Sequence, residues 1–461
     1  MNRKKEHSAR TNNDFQALAN CSAFLLFLVA GGMLSLFLPK MEISEKEKRA
    51  LTPLPHLSVI NLFAGDYTDS LDLHYADNFP FRDDFVEFTG IIKETFGYRN
   101  NDVRIYTTVE TPVEKPIAAD SSVVMKADTV VVPKRNEKGK ENKEVVNSIL
   151  IHNGMAFQLF RGSADRAIAF AEMINAYRRA IDDSINMYCL IAPSAIDYYL
   201  PLSMKSTNNL EKPNIDVVYS HLDSGVYGVD AYSEIQERTN EYVYFNTDHH
   251  WTVRGAYYAY RAWCKNAGLT PAELSSFRRR VRKGYLGSLY HLTNDVRLKA
   301  NRDSVESFLP PGQTVTYRYP TSDLQNPVLA KLLAGSANYA TFLGGDFPLV
   351  RIETDLHNAR RILVIKDSFG NALCPFLTMH YEEVFVVDYR YFEKNLLTFI
   401  RNNRITDVMF LHNTFVTNTE FTVKKEKFLM RVRDKTPQTV IADTVATELR
   451  IQSEVKGDST R

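Results

Sequence analysis

From Ile149 onward, short runs rich in Ile, Val, Tyr and Phe alternate with amphipathic segments of helical spacing, and this alternation restricts the possible folds more than any other feature. Strand-length apolar runs separated by helical periods fit a sheet covered by helices, so the expected class is α/β with a mostly parallel sheet flanked by helices. Ser163 to Ile181 reads as a helix capped by Ser163, and Asn186 to Ala192 as a buried strand halted by Pro193. Arg254 to Gly268 reads as a helix stopped by its glycine. Arg361 to Ile365 is a predicted strand with Lys366-Asp367-Ser368 as its exit turn, and Phe369 to Met379 is the next helix. Val384 to Val387 and Asp407 to Leu411 are two further strands. In open parallel sheets functional groups collect at the carboxyl ends of strands, which places Ser368, Asp388 and Asn413 where a site is expected.

Upstream, basic Arg3, Lys4, Lys5 and Arg10 precede a mostly apolar stretch from Phe15 to Leu38 that closes with Pro39-Lys40. At ~1.5 Å per helical residue the stretch can span ~30 Å of hydrocarbon. The expected organisation is a cytoplasmic N-terminus (1–14), a transmembrane anchor (15–38) and a stalk (39–61). A folded domain (62–452) with an exposed insertion at about 107–144 and a polar tail (453–461) follow. The basic flank predicts a single-pass protein of the cytoplasmic membrane with its folded domain outside the cytoplasm, while Ala30-Gly31-Gly32 keeps a cleaved signal peptide open. The 56 Lys plus Arg against 55 Asp plus Glu leave a formal charge of +1, so no global field draws nucleic acid. Cys21, Cys189, Cys264 and Cys374 form no close pair of the zinc or redox kind.

Two constellations could carry chemistry. Asp248-His249-His250-Trp251 lies between an aromatic run and a helix, and in extended chain Asp248 and His250 share a side. A carboxylate there can orient an imidazole and stabilise its imidazolium; the alternative is that Asp248 merely caps the helix. Ser368, at a strand exit before a helix, is mounted as a serine nucleophile would be, or is itself a cap. Metal ligation by Asp248, His249 and His250 would need further acidic motifs, so neither a metal nor a cofactor is expected.

Together with Asp77-Asn78-Phe79-Pro80-Phe81-Arg82, Leu286-Gly287-Ser288-Leu289-Tyr290 and Phe342-Leu343-Gly344-Gly345-Asp346, these residues resemble the DHHW proteins. That family is similar to the SGNH-like domain of bacterial alginate O-acetyltransferases. The resemblance implies an SGNH-hydrolase-like domain with Ser368 as nucleophile, His250 as general base and Asp248 as its orienting acid. It points to the Gly345-Asp346 turn for an oxyanion donor, although an ionised Asp346 cannot donate. Arg390, beside Tyr389, is a candidate replacement facing oxyanion or substrate, or else a surface arginine. Asp77 and Arg82 are expected to form an internal ion pair. The implied activity is extracytoplasmic O-acetylation of cell-envelope or exopolysaccharide hydroxyls through an acetyl-serine, with a membrane-bound O-acyltransferase supplying acetyl groups. A carbohydrate acetyl esterase with the same triad and a non-catalytic polysaccharide-binding envelope protein are the alternatives.

Overall fold

A strand that is apolar on both sides needs cover on both faces, and Arg361–Lys366 shows how it is supplied. Ile362 and Val364 join one buried cluster, Leu363 and Ile365 another. The computed structural model describes residues 141–201 and 208–433 without interruption, with shorter stretches before them. The chain divides into two units, and this strand belongs to the one comprising Asn100–Ser121 and Lys126–Arg461. Its strands in chain order are β1 (Val103–Glu110), β2 (Val131–Arg135), β3 (Glu141–His152), β4 (Met155–Gln158) and β5 (Asn186–Ala192). There follow β6 (Val226–Val229), β7 (Arg278–Tyr285), β8 (Asp303–Leu309), β9 (Thr314–Tyr319) and β10 (Val328–Ala330). The last are β11 (Leu349–Thr354), β12 (Arg361–Lys366), β13 (Glu383–Asp388) and β14 (Asp407–Asn413).

The central sheet has eight strands in the order β10-β9-β11-β13-β12-β14-β5-β6. From β13 to β6 neighbours are parallel, whereas β10, β9, β11 and β13 pair antiparallel. The expected mostly parallel sheet is therefore corrected to a mixed one. The run from Tyr319 to Val328 is too short to hold a crossover helix, so β10 must turn back on β9. Two smaller antiparallel sheets add to this: β1-β3-β2 with β4 against β3, and the β7–β8 ribbon. Segment 107–144, expected as an exposed insertion, contributes to the first of them; residues 111–130 and 136–140 lie outside the described residues.

Helices α1 (Ala164–Arg178), α2 (Glu211–Ser220), α3 (Val253–Asn266), α4 (Gly370–Leu377), α5 (Leu396–Asn402) and α6 (Glu420–Arg431) cover the sheet. Phe170, Ile215, Phe399 and Leu429 bring α1, α2, α5 and α6 into the cluster on one face. Tyr260, Trp263, Leu373 and Phe376 bring α3 and α4 into the cluster on the other. Chain order then fixes where a site can lie. β12 passes through α4 to β13 on one side, and β13 returns through α5, on the opposite face, to β14 on the other side. Connections that diverge in this way open a crevice beyond the carboxyl end of β12.

In the unit comprising Met1–Arg99 and Ser122–Met125, helix Asp66–Asp77 is tied to an upstream segment. The Asp77 carboxylate accepts bonds from the Thr52 N–H (2.9 Å) and hydroxyl (2.7 Å), which holds the upstream segment to the end of this helix. The expected transmembrane helix is also corrected: no helix among the described residues is long and apolar enough to cross a membrane. Of residues 15–38 only Ser22–Leu26, Val29 and Met33 are described; 1–14 and 453–461 lie wholly outside the described residues.

Candidate active site

Ser368 follows β12 in a turn that Asp367 locks. One Asp367 carboxylate oxygen accepts the Phe369 N–H at 2.8 Å and the other the Asn413 N–H at 2.6 Å, which fastens the turn to the end of β14. The turn is tight enough that a Cβ on Gly370 would come within 2.7 Å of Lys366 Cβ, so glycine is required at that close approach. The Ser368 side chain stands at the entrance to α4, and its own N–H makes no hydrogen bond among the described residues.

The imidazole arrives from a loop 118 residues away in sequence. His250 Nε2 lies 2.7 Å from Ser368 Oγ, and His250 Nδ1 lies 2.6 Å from Asp248 Oδ1. Asp248 Oδ1 also accepts the His250 N–H at 3.0 Å, a local loop that fixes carboxylate and imidazole together. The helix-cap alternative for Asp248 does not describe this geometry, because Thr252 caps α3 and accepts the Arg254 N–H at 3.2 Å. Trp251 donates its indole N–H to the Phe369 carbonyl at 3.0 Å, tying the histidine loop to the serine turn. The Tyr339 ring stacks on His250 at 3.8 Å and 8°, which sets the imidazole plane.

The outer Asp248 oxygen accepts from the Tyr285 hydroxyl (2.7 Å) and the Ser288 N–H (2.8 Å). Gly287 passes so close that any Cβ there would strike Asp248, which explains the glycine of the Leu286-Gly287-Ser288 segment. Asp303 braces the same loop by accepting the Asn246 and Thr247 N–H groups, each at 2.8 Å. Burial pushes the Asp248 carboxyl up, but His250, His249 and the bonds it accepts outweigh burial and hold it well below the usual carboxylate range. Burial and the neighbouring His250 push His249 down to about 3, so that ring is neutral and lies with Nδ1 2.7 Å from Ser288 Oγ.

Asp248, His249 and His250 bring ligand-type atoms within 4.8 Å of one another. Both nitrogens of His250 are already engaged, one by the acid and one by the serine, an order that suits proton transfer. Beside Asp248, His249, Phe369 and Asn413 lies a cavity of about 20 Å³, room for a single water. Ser368 itself is buried, 2% exposed.

Of the other sequence-derived site residues, Arg390 and Asp346 fall into a second cluster. Arg390 gives Nε to Asp388 at 2.9 Å and its terminal nitrogen to Asp388 (2.7 Å) and Asp346 (3.0 Å). Lys366 Nζ joins the same two carboxylates at 2.7 and 2.8 Å. Asp346 also accepts from the Asn371 amide at 2.8 Å, which anchors α4. Gly345 sits at φ +118°, its N–H bonded to the Phe342 carbonyl at 3.2 Å. Tyr389 points elsewhere, its hydroxyl 2.9 Å from Thr422 Oγ1 and its ring against His412. Sequence pattern gives no sign of Tyr285 or Asp303, whereas the Leu286-Gly287-Ser288 segment is the available signal for Ser288.

A family model described as DHHW protein matches residues 108–387. The chain belongs to the DHHW family. Among solved structures, a DHHW family protein from Eubacterium siraeum is 31% identical with a TM-score of 0.57, covering 62% of this chain and 96% of its own. Bacillus cereus PatB1 is similar in fold at 20% identity and TM-score 0.51, covering 60% of this chain and 99% of its own. PatB1 with a sulfonyl adduct gives the same identity and score, with coverages of 61% and 98%. A comparison with curated proteins returns no match. In this DHHW chain the four residues of the family name make separate contacts: the Asp248 carboxylate holds the His250 ring, His249 packs over that ring, and Trp251 ties the loop to the serine turn.

Proposed function

We propose that this protein is an O-acetyltransferase that acylates polysaccharide hydroxyls through an acetyl-Ser368 intermediate. The observation that supports the reading is the line from Asp248 through His250 to Ser368, with contacts of 2.6 and 2.7 Å. Ser368 Oγ attacks the acetyl carbonyl of the donor while its proton passes to His250 Nε2, and the departing donor oxygen takes that proton away. The acceptor hydroxyl then gives its proton to His250 and attacks the acetyl-serine, and Ser368 Oγ leaves and is reprotonated. Asp248 stabilises the imidazolium in both steps. The unbonded Ser368 N–H at the entrance to α4 is the proposed donor to the oxyanion, since Arg390 is committed to Asp388 and Asp346.

As the family resemblance implies, the acetyl group would come from a membrane-bound O-acyltransferase, and the site would work outside the cytoplasm. The test is turnover of a soluble acetyl ester with and without an oligosaccharide acceptor, alongside labelling by a fluorophosphonate. Labelling of Ser368 and transfer to sugar faster than to water are expected. Release of acetate at the same rate with and without acceptor would indicate an esterase. An unlabelled Ser368 with turnover intact in Ser368→Ala would refute the proposal.

A further inference from the structure

β7 reads Arg278-Arg279-Arg280-Val281-Arg282-Lys283-Gly284-Tyr285, and every residue from Arg278 to Gly284 is exposed. In a chain of formal charge +1 this concentration of cations is local. The two sides of the strand differ. On one, Arg279 meets the carboxylate of Glu306, which also holds Arg254 at 2.6 Å. On the other stand Arg278, Arg280 and Arg282, opposite Leu309, Ser307 and Val305, none of them charged. Those three guanidinium groups make no ion pair or side-chain hydrogen bond among the described residues. At ~3.3 Å per residue they form a row with ~6.6 Å between neighbours. Like charges held in a row repel, and a bound anion would relieve that repulsion.

Beyond the row the chain enters the segment that supports Asp248. Tyr285 closes β7 and donates to Asp248, and Gly287 and Ser288, just beyond, pack against and donate to the same acid. The row is therefore continuous in chain with the segment that supports Asp248.

We propose that β7 is the acceptor-binding strip and that the acceptor is an anionic polysaccharide with regularly repeated carboxylates or phosphates; this rests on the acetyl-transfer reading above. Arginine suits the role because its planar fork binds such groups in bidentate fashion. The experiment measures binding of the full chain to oligomeric polygalacturonate and to its methyl-esterified, uncharged form. Wild type is expected to bind the anionic form at least about tenfold more tightly, with affinity falling as salt rises. The triple variant R278Q/R280Q/R282Q should lose about tenfold or more in affinity for the anionic form, and Arg280→Glu alone should weaken it measurably, each with a melting temperature like that of wild type. Ser368→Ala should bind as wild type does, so a failure of acetyl transfer and a failure of this proposal are read separately. Equal binding of the charged and esterified polymers, or no binding by wild type, would overturn the proposal. So would undiminished binding by the folded triple variant, or tighter binding of duplex DNA or anionic phospholipid vesicles through the same arginines.

Discussion

Lys366 and Ser368 leave the same strand two residues apart and enter two different buried clusters. Around Lys366 the charges balance: its ammonium and the Arg390 guanidinium answer the Asp346 and Asp388 carboxylates, each cation touching both acids. Around Ser368 the line of bonds runs from an acid through an imidazole and ends on an alcohol. A closed ring of opposite charges has nowhere to send a proton, so it braces; a line that ends on a hydroxyl can pass one on. Burial alone distinguishes neither, since the side chains of Lys366 and His250 are both sealed from solvent.

Four substitutions and one titration can break or sharpen this contrast. Ser368→Ala should lower acetyl-ester turnover by about 10⁴-fold or more with the melting temperature unchanged, read by steady-state kinetics and calorimetry. Asp248→Asn should cost about 10³ to 10⁴ in kcat, because the amide favours the wrong imidazole tautomer. Lys366→Met should do the reverse: chemical denaturation should show a loss of about 3–5 kcal/mol from leaving carboxylates short of a cation, while kcat of the folded fraction changes far less. If Lys366→Met matches Ser368→Ala in kcat, the two clusters are a single catalytic unit. Tyr285→Phe deletes one bond to Asp248 and should cost about 1 kcal/mol in transition-state stabilisation, seen as a few-fold fall in kcat.

The titration concerns Asp248, whose carboxyl is held low in the folded protein by His250 and His249 despite burial. Its contribution to stability is present above the ordinary carboxylate value of about 3.9 and is lost as pH falls through the depressed folded value. Stability of Asp248→Asn measured from about pH 5 downward should fall less steeply than that of wild type. Parallel curves would show that the acid is not held by its histidines.

The parallel half of the sheet was legible because its strands are apolar on both sides. Asn186–Ala192 is the predicted strand, and Arg361–Lys366 and Asp407–Asn413 extend the predicted ones by one and two residues. The antiparallel half was not: Thr314–Tyr319 mixes Thr and Arg with Tyr, and its pairing with Leu349–Thr354 is a long-range event that local pattern does not encode. At the site, the period of two joining Asp248 to His250 and the strand exit before Ser368 are local signals. The support from Tyr285 and Ser288 crosses 37 and 40 residues, and the stacking of Tyr339 has no local sign at all. For Arg390 the sign was present but pointed inward, because Asp388 two positions earlier folds back onto its guanidinium.

The most direct measurement is peptide mapping by mass spectrometry after rapid mixing with an acetyl donor and acid quench. One acetyl group on the peptide that contains Ser368, removed when an oligosaccharide acceptor is added before the quench, is the predicted result. Continued acetyl turnover with that peptide unmodified at every time point would contradict the account.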